Sequence, residues 1–130
     1  AMCLLHDLPE ARIGDLNYVQ KFYIRADESA AVDEMADGLP FGEDIKALIE
    51  EFNRGESIEA RLAHDADQLA FLMELKSLAD QGLAAPPTWM PNVGRRLRTD
   101  LGRSLAETIT TNPSDQWWRQ KFIDRSGQTK

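Results

Sequence analysis

The first fifteen residues, AMCLLHDLPEARIGD (residues 1–15), decide how the rest of the chain is interpreted. An apolar run leads directly into His6 and Asp7, and Pro9 follows two residues after Asp7. Proline suits the first position of a helical turn because its missing N–H costs nothing there. Glycine is a common helix terminator, and Gly14 stands near the end of the stretch. The stretch therefore predicts the end of one helix, followed by one short helical turn.

Four side chains of this stretch can bind a metal ion or move a proton: His6, Asp7, Glu10 and Asp15. Neighbouring helical residues point about 100° apart, so His6 and Asp7 can contact one ion only at a helix edge. The break at Pro9 supplies such an edge. Several acidic groups behind an apolar helix are costly unless a cation offsets them. We therefore interpret the stretch as most of a metal-dependent hydrolytic centre, although a His-Asp pair alone is a weak signal.

Length, composition and charge limit the classes of protein that remain. A chain of 130 residues with 42% hydrophobic and 28% charged residues is typical of one globular domain. The net charge of −7 argues against a nucleic-acid-binding surface, which requires a basic footprint. It leaves room for a small phosphorylated substrate, because a bound cation would invert the local field.

The chain shows no sign of export or membrane insertion. Its single cysteine, Cys3, excludes an internal disulfide. No apolar run approaches the roughly 20 residues that a membrane span needs, and His6 and Asp7 interrupt any signal-peptide pattern. We therefore expect a cytoplasmic protein with no membrane partner. The chain opens inside an apolar helix without a cap, and we expect further residues upstream in the natural domain.

Helical periodicity runs through most of the chain, and no strand alternation is visible. The predicted helices cover residues 28–37, 44–53, about 57–81, 93–110 and 114–122. Three prolines between residues 84 and 92 predict an irregular loop that carries Trp89. Residues 124–130 form a polar tail that we expect to be flexible. The fold class is all-α.

The long helix that starts near Ser57 provides a candidate for a further metal ligand, Asp67. At about 100° per residue, its helical face is shared mostly by small residues. These neighbours are Ala60, Ala63, Ala70 and Glu74. Small residues allow close approach of another element, so we predict that Asp67 faces inward and needs a cationic partner.

Two residues beside Asp67 are interpreted differently. Asp65 lies on roughly the opposite side of the helix and four residues from Arg61, which predicts a structural ion pair. His64 lies three residues from Asp67, and either contacts the site or lies on the helix surface.

Two blocks of the sequence resemble a known family. HDLPEARIGD (residues 6–15) resembles the signature of the HD-domain metal-dependent phosphohydrolases, and more closely that of the branch containing the 5′-deoxynucleotidases. EARLAHDADQL (residues 59–69) resembles the second block of that branch. The resemblance covers residues 1 to about 80 well, and implies a helical bundle of about six helices over residues 1–123.

The resemblance also implies roles for individual residues. His6, Asp7 and Asp67 match metal ligands, and Glu10 matches an acidic residue that acts in proton transfer. Asp15 matches an acidic position near the substrate. The implied cofactor is a divalent metal ion, Mn, Co, Fe, Zn or Mg. The implied activity is release of phosphate from (deoxy)nucleoside 5′-monophosphates, and relatives are often homodimers.

One departure from the family pattern keeps alternatives open. The family uses a histidine upstream of the His-Asp motif, on an earlier helix, and this sequence starts after that position. We expect a partial HD domain that lacks its first helices. The alternatives are a degenerate HD-type protein that binds a nucleotide or partner without turnover, and hydrolysis of guanosine polyphosphates or cyclic nucleotides.

We predict structural roles, not catalytic ones, for the cationic and aromatic residues near the C-terminal end. The arginines on the helix predicted at residues 93–110 are assigned to a solvated face: Arg95, Arg96, Arg98 and Arg103. The tryptophans are assigned to the core or to a dimer contact, since tryptophan anchors both: Trp89, Trp117 and Trp118.

Overall fold

A computed structural model describes residues 1–123 of the chain, and over these residues the structure is helical with no strand. The all-α prediction is therefore confirmed. The helices are α1 (Met2–Leu5), α2 (Glu10–Ile13), α3 (Gln20–Tyr23), α4 (Glu28–Ala36), α5 (Gly42–Arg54), α6 (Ile58–Asp80), α7 (Pro86–Arg96), α8 (Asp100–Thr111) and α9 (Gln116–Phe122). The chain divides into two compact units, Ala1–Ala63 and His64–Lys130. The tail predicted at residues 124–130 lies outside the described residues.

The first unit is organised by the packing of α4 against α5. Asp27 caps α4, because its Oδ1 accepts a hydrogen bond from the Ala30 N–H at 3.0 Å. Helix α5 starts two residues earlier than predicted, at Gly42, whose backbone lies against Ala36. A Cβ at position 42 would stand 3.2 Å from the Ala36 carbonyl carbon. Glycine is therefore what allows the two helices to turn back on each other so tightly.

Helix α5 provides the apolar face on which the N-terminal stretch packs. Its buried residues include Ile49 and Phe52, which are 4% and 7% exposed. Burying side chains of this size stabilises the fold by about 1.5–3 kcal/mol each. Gly55 ends the helix with a left-handed φ of 63°. The amphipathic helix predicted at residues 44–53 is thus confirmed.

The second unit has its own core, formed where α6, α7 and α8 meet. The buried members are Leu72, Leu75, Val93, Leu97 and Ala106, with Leu69, Met90 and Ile109 packed against them. The start of the long helix follows the predicted pattern, because Ser57 Oγ accepts the Ala60 N–H at 3.1 Å.

The prediction of a loop at residues 84–92 is wrong, because α7 begins at Pro86 and continues through Pro91. Pro86 and Pro87 occupy the first two positions of the helix, where N–H groups have no intrahelical acceptor. Only Pro91 stands inside the helix and removes an internal hydrogen bond. The proline cluster therefore starts a helix, and does not exclude one.

The prediction of a single helix at residues 93–110 is also wrong, because the helical structure is interrupted between α7 and α8. Leu97 is extended, with ψ at 132°, and Thr99 caps α8 by accepting the Gly102 N–H at 3.0 Å. The break changes which face of α8 is buried. Leu101 and Leu105, which lie one helical turn apart, are 57% and 43% exposed, while Ala106 is 8% exposed.

The final helix begins later than predicted, and its tryptophans are not buried. Its N-cap is Asp115, and the preceding Ser114 donates its N–H to Asp80 Oδ2 at 2.7 Å. Trp89, Trp117 and Trp118 are 55%, 74% and 38% exposed. The core assignment of these tryptophans is therefore wrong, and a dimer contact stays a prediction. Among the described helices, none has the length and apolar character that crossing a membrane requires.

Candidate metal centre

His6 and Asp7 lie together in the turn that joins α1 to α2. His6 is the residue that ends α1, and its N–H bonds to the Met2 carbonyl at 2.9 Å. The His6 Nε2 atom lies 3.1 Å from Asp7 Oδ2. The His6 side chain is 13% exposed and the Asp7 side chain 62% exposed. The helix edge predicted from Pro9 is therefore present, and it points both groups at one region of space.

Two contacts hold this turn in place. The His6 ring packs on Phe52 of α5, with ring centroids 4.6 Å apart and planes tilted by 39°. Pro9 is fully buried, and as the N-cap of α2 it has φ at −59°. The Phe52 ring under the imidazole restricts the motion of His6, and the fixed φ of Pro9 restricts the backbone of the turn.

Glu10 is the first residue of α2 and is half-buried. Its pKa is raised above the usual range, first by burial and then by repulsion from Asp7, Asp15 and Glu28. Lys21 opposes these effects. The raised pKa keeps a larger fraction of this carboxyl protonated near neutral pH than is usual for glutamate. This suits a group that passes a proton during catalysis.

Asp15 is exposed, one residue beyond the glycine that ends α2. Its carboxylate is near enough to raise the pKa of Glu10, so the structure brings Asp15 into the electrostatic neighbourhood of the motif. Its role near a substrate stays a prediction.

Asp67 lies on α6 in the second unit, and its side chain is exposed. The prediction that it faces inward is wrong, because the small residues on its face are buried only in the preceding turns. Ala60 and Ala63 are 0% and 6% exposed, whereas Ala70 is exposed. The Asp67 carboxylate accepts a hydrogen bond from Gln68 Nε2 at 2.9 Å. The assignment of Asp67 as a ligand rests on the sequence resemblance, and His64 is half-buried beside it.

Asp65 is the buried carboxylate of this helix, at 2% exposure. It is held by the segment between α7 and α8, and the ion pair predicted with Arg61 stays a prediction. Its Oδ1 accepts the Arg98 N–H at 2.7 Å, and its Oδ2 accepts the Thr99 N–H at 2.9 Å and the Thr99 hydroxyl. Burial by itself raises the pKa of Asp65, but these hydrogen bonds outweigh it and hold the pKa below its usual value.

The donor atoms of His6 and Asp7 fit two ligands of a divalent ion. Metal–ligand bonds of about 2.1 Å place neighbouring ligand atoms about 3 Å apart when they subtend a right angle at the ion. The observed Nε2 to Oδ2 distance is 3.1 Å. Mixed imidazole and carboxylate donors suit Mn, Fe, Co and Zn. Within residues 1–123, no group of three or more His, Cys, Asp or Glu side chains is assembled for a metal.

A groove of about 620 Å³ between α4 and α5 is a weaker candidate than this turn. Both of its cations already have carboxylate partners. Lys46 bridges Asp33 and Glu43 at 3.0 and 3.2 Å, and Arg54 pairs with Glu50 at 3.4 Å. A groove whose charges satisfy one another offers little to a phosphorylated ligand.

Sequence reasoning missed Asp65, although a signal was present. Asp65, Leu69, Leu72 and Lys76 follow one another at helical spacing, and the last two are 1% and 9% exposed. An aspartate in a buried row needs donors, and Thr99 beside Asp100 is a helix-start signature that offers them.

Comparison with known proteins identifies the family. The family model described as HD domain matches residues 1–109, which is most of the chain. The chain therefore belongs to the HD-domain family, whose members are typically metal-dependent phosphohydrolases that bind divalent ions. Searches of curated proteins and of solved structures gave no match.

Proposed function

We propose that this protein releases phosphate from nucleoside 5′-monophosphates, deoxynucleotides included, as a metal-dependent phosphomonoesterase. The observation that carries the proposal is the His6–Asp7 pair, with donor atoms 3.1 Å apart at the start of a chain that matches the HD domain. The finer choice of substrate is supported by the resemblance of residues 6–15 and 59–69 to the 5′-deoxynucleotidase branch.

The proposed ligands are His6 and Asp7, with Asp67 added on the strength of the sequence resemblance. A divalent ion supplies Lewis-acid stabilisation of the phosphoryl oxygens and an activated water. Phe52 under the His6 ring, with centroids 4.6 Å apart, keeps the imidazole oriented. Restricting the ligand in this way reduces the ordering that binding would otherwise require.

Glu10 is the proposed proton donor to the leaving alkoxide. It stands three residues after Asp7, and partial burial with three neighbouring carboxylates raises its pKa. The raised pKa favours the protonated form of this carboxyl, and that form can pass its proton to the departing oxygen. Asp15 is proposed to lie near the substrate, where its negative charge would disfavour a second phosphate group.

The test uses the full chain encoded by the gene, loaded with Mn²⁺. Phosphate release is measured from a panel of ribo- and deoxyribonucleoside 5′-monophosphates, and bound metal is measured on the same samples. Asp7→Asn should lose metal and turnover, because an amide is a weaker ligand than a carboxylate. The matched control is Asp37→Asn, which changes an exposed aspartate at the end of α4 and should keep both.

The outcomes separate the alternatives. Metal binding with no release from any 5′-monophosphate would contradict the proposed substrate, and release from guanosine polyphosphates or cyclic nucleotides would identify the other hydrolase activity. Nucleotide binding without turnover of any of these compounds would indicate a degenerate HD protein. Equal loss of metal in Asp7→Asn and Asp37→Asn would contradict the ligand assignment.

A further inference from the structure

Helix α9 presents an exposed face of aromatic and cationic side chains. Trp117 and Phe122 are 74% and 62% exposed, and Trp118 is 38% exposed. At about 100° per residue, these three side chains and Lys121 fall within an arc of about 140° around the helix. Lys121 Nζ lies 5.2 Å from the centroid of the Phe122 ring. Such a face is typical of a contact surface, because aromatic residues are enriched where proteins bind one another.

The charges of the chain are divided unevenly along its length. Residues 1–63 carry 14 acidic and 6 basic side chains, a net charge of −8, whereas residues 64–130 carry a net charge of +1. Helix α9 contributes two cations, Arg119 and Lys121, and Arg119 also pairs with Asp115 at 3.7 Å. A cationic aromatic face is complementary to an acidic surface, and the first unit of the chain supplies one.

The groove between α4 and α5 has the matching chemistry. Its volume is about 620 Å³, and four carboxylates line it against two cations. These residues are Glu28, Asp33, Glu43 and Glu50, with Lys46 and Arg54. Val32 and Ile49, which are 6% and 4% exposed, also line it. The groove therefore combines an excess of two negative charges, equal to the two positive charges of α9, with apolar contacts for an aromatic ring.

We propose that two copies of the chain associate, with α9 of one copy docked in the α4–α5 groove of the other. An amphipathic helix that lays its apolar face in a groove is a recurring mode of protein recognition. Trp117 and Trp118 supply the aromatic anchors, and Arg119 and Lys121 meet the carboxylates of the groove. The association is independent of the proposed phosphomonoesterase activity.

Charge disfavours the other occupants of these two surfaces. A second α9 would bring like charges together, and a phosphorylated ligand would meet the four carboxylates of the groove. An anionic lipid surface would attract Arg119 and Lys121, but it would repel a chain whose net charge is −7. The groove of a second copy offers partners both to the cations and to the aromatic rings.

Sedimentation velocity of the full chain over a range of concentrations measures the dissociation constant of the dimer. Trp117→Ala should raise that constant about 10-fold or more, because aromatic anchors carry much of the binding energy of an interface. The matched control is Trp89→Ala, which removes a tryptophan of α7 that is 55% exposed and should leave the constant unchanged. Salt at about 1 M should weaken the dimer, because it screens exposed charges.

A charge exchange identifies the two surfaces that meet. Lys121→Glu and Glu43→Lys should each weaken the dimer, and the variant that carries both changes should recover part of the lost affinity. The control is Glu34→Lys, since Glu34 is a 72% exposed carboxylate of α4 that is not among the residues lining the groove. This change should leave the dimer intact.

Each outcome decides the proposal. A full chain that stays monomeric at every concentration would overturn it, and so would equal effects of Trp117→Ala and Trp89→Ala. Weakening by Lys121→Glu that Glu43→Lys does not offset would overturn the groove as the site of α9. Binding of a monomeric chain to phosphatidylserine vesicles, lost in Trp117→Ala, would identify a lipid surface as the occupant instead. If Trp117→Ala fails to fold, the charge exchange decides.

Discussion

The backbone of Gly102 lies so close to the Asp65 carboxylate that a Cβ at position 102 would stand 2.8 Å from Asp65 Cγ. A glycine on α8 is therefore what admits the buried carboxylate of α6. The bonds to Arg98 and Thr99 depend on that approach. The relationship makes position 102 as important to the second unit as the carboxylate itself.

Gly102→Ala should lower the free energy of unfolding by about 1–3 kcal/mol, the usual cost of overpacking a close contact. The control is Gly94→Ala in α7, where a Cβ would meet nothing within 4 Å. That change should be neutral or stabilise by up to about 1 kcal/mol, because alanine is the better helix former. Urea denaturation measures both, and equal effects of the two changes would contradict the close approach.

Asp80 should make stability depend on pH at the acidic end. Its pKa is lowered by the hydrogen bond from Lys76, then by the Ser114 N–H, against the effect of burial. A carboxyl with a lower pKa in the folded state stabilises fully above its unfolded pKa, about 3.9, and the stabilisation disappears as pH falls through the folded value. The difference in unfolding free energy between the wild type and Asp80→Asn should be constant near neutral pH and shrink below about pH 4.

Lys76→Met provides the check on the cause of that dependence. The Lys76 side chain is 11% exposed, and its Nζ lies 2.6 Å from Asp80 Oδ2. In the Lys76→Met background, Asp80→Asn should cost less than in the wild type, by about 1–2 kcal/mol, because the charge-assisted bond is already absent. An unchanged cost would show that Ser114 alone accounts for the effect.

Phe52→Leu should weaken metal binding by loosening His6. The Phe52 ring lies under the imidazole and is 7% exposed, and a leucine cannot supply the same flat contact. We expect a loss of about 1 kcal/mol of stability and a several-fold rise in the Mn²⁺ dissociation constant. Phe41→Leu, beside the start of α5 and 55% exposed, is the control and should leave Mn²⁺ binding unchanged. Unchanged Mn²⁺ binding in Phe52→Leu would show that the ring contact does not orient His6.

Glu10→Gln should separate metal binding from turnover. The amide keeps the shape of the side chain but holds no transferable proton, so kcat should fall by about 10²–10⁴-fold with bound metal unchanged. Glu34→Gln changes an exposed carboxylate that pairs with Arg12 at 3.5 Å and should leave kcat unaltered. Retained turnover in Glu10→Gln would remove its proposed role in proton transfer.

Local chemistry made much of the helical pattern predictable. The amphipathic spacing of α5, the left-handed Gly55 and the Ser57 cap are set by neighbouring residues, and each appears in the structure. The His6–Asp7 pair was predictable for the same reason, since Pro9 two residues later forces a turn. Interactions between residues close in the chain act before any tertiary contact forms, so a sequence pattern expresses them directly.

The wrong predictions share a different cause, which is an interaction between residues far apart in the chain. One long-range contact underlies both the break between Leu97 and Thr99 and the burial of Asp65. In this contact Asp65 binds the N–H groups of Arg98 and Thr99, which follow it by 33 and 34 positions in the chain. Helical spacing alone gave Asp65 and Asp67 opposite faces correctly, but could not say which face was buried. That choice depended on where the donors of Arg98 and Thr99 were placed.

The sequence by itself determined an all-α chain, the turn that carries His6 and Asp7, and a resemblance to the HD-domain family, which the match over residues 1–109 supports. The first two follow from periodicity and from proline and glycine at particular positions, and the resemblance follows from the blocks at residues 6–15 and 59–69. Only the tertiary structure decided that Asp65 is buried and Asp67 exposed, that prolines open α7, and that Glu10 shares its surroundings with Asp7, Asp15 and Glu28. Burial and long-range hydrogen bonds are properties of the assembled chain, because they depend on which distant groups come to share one volume from which water is excluded.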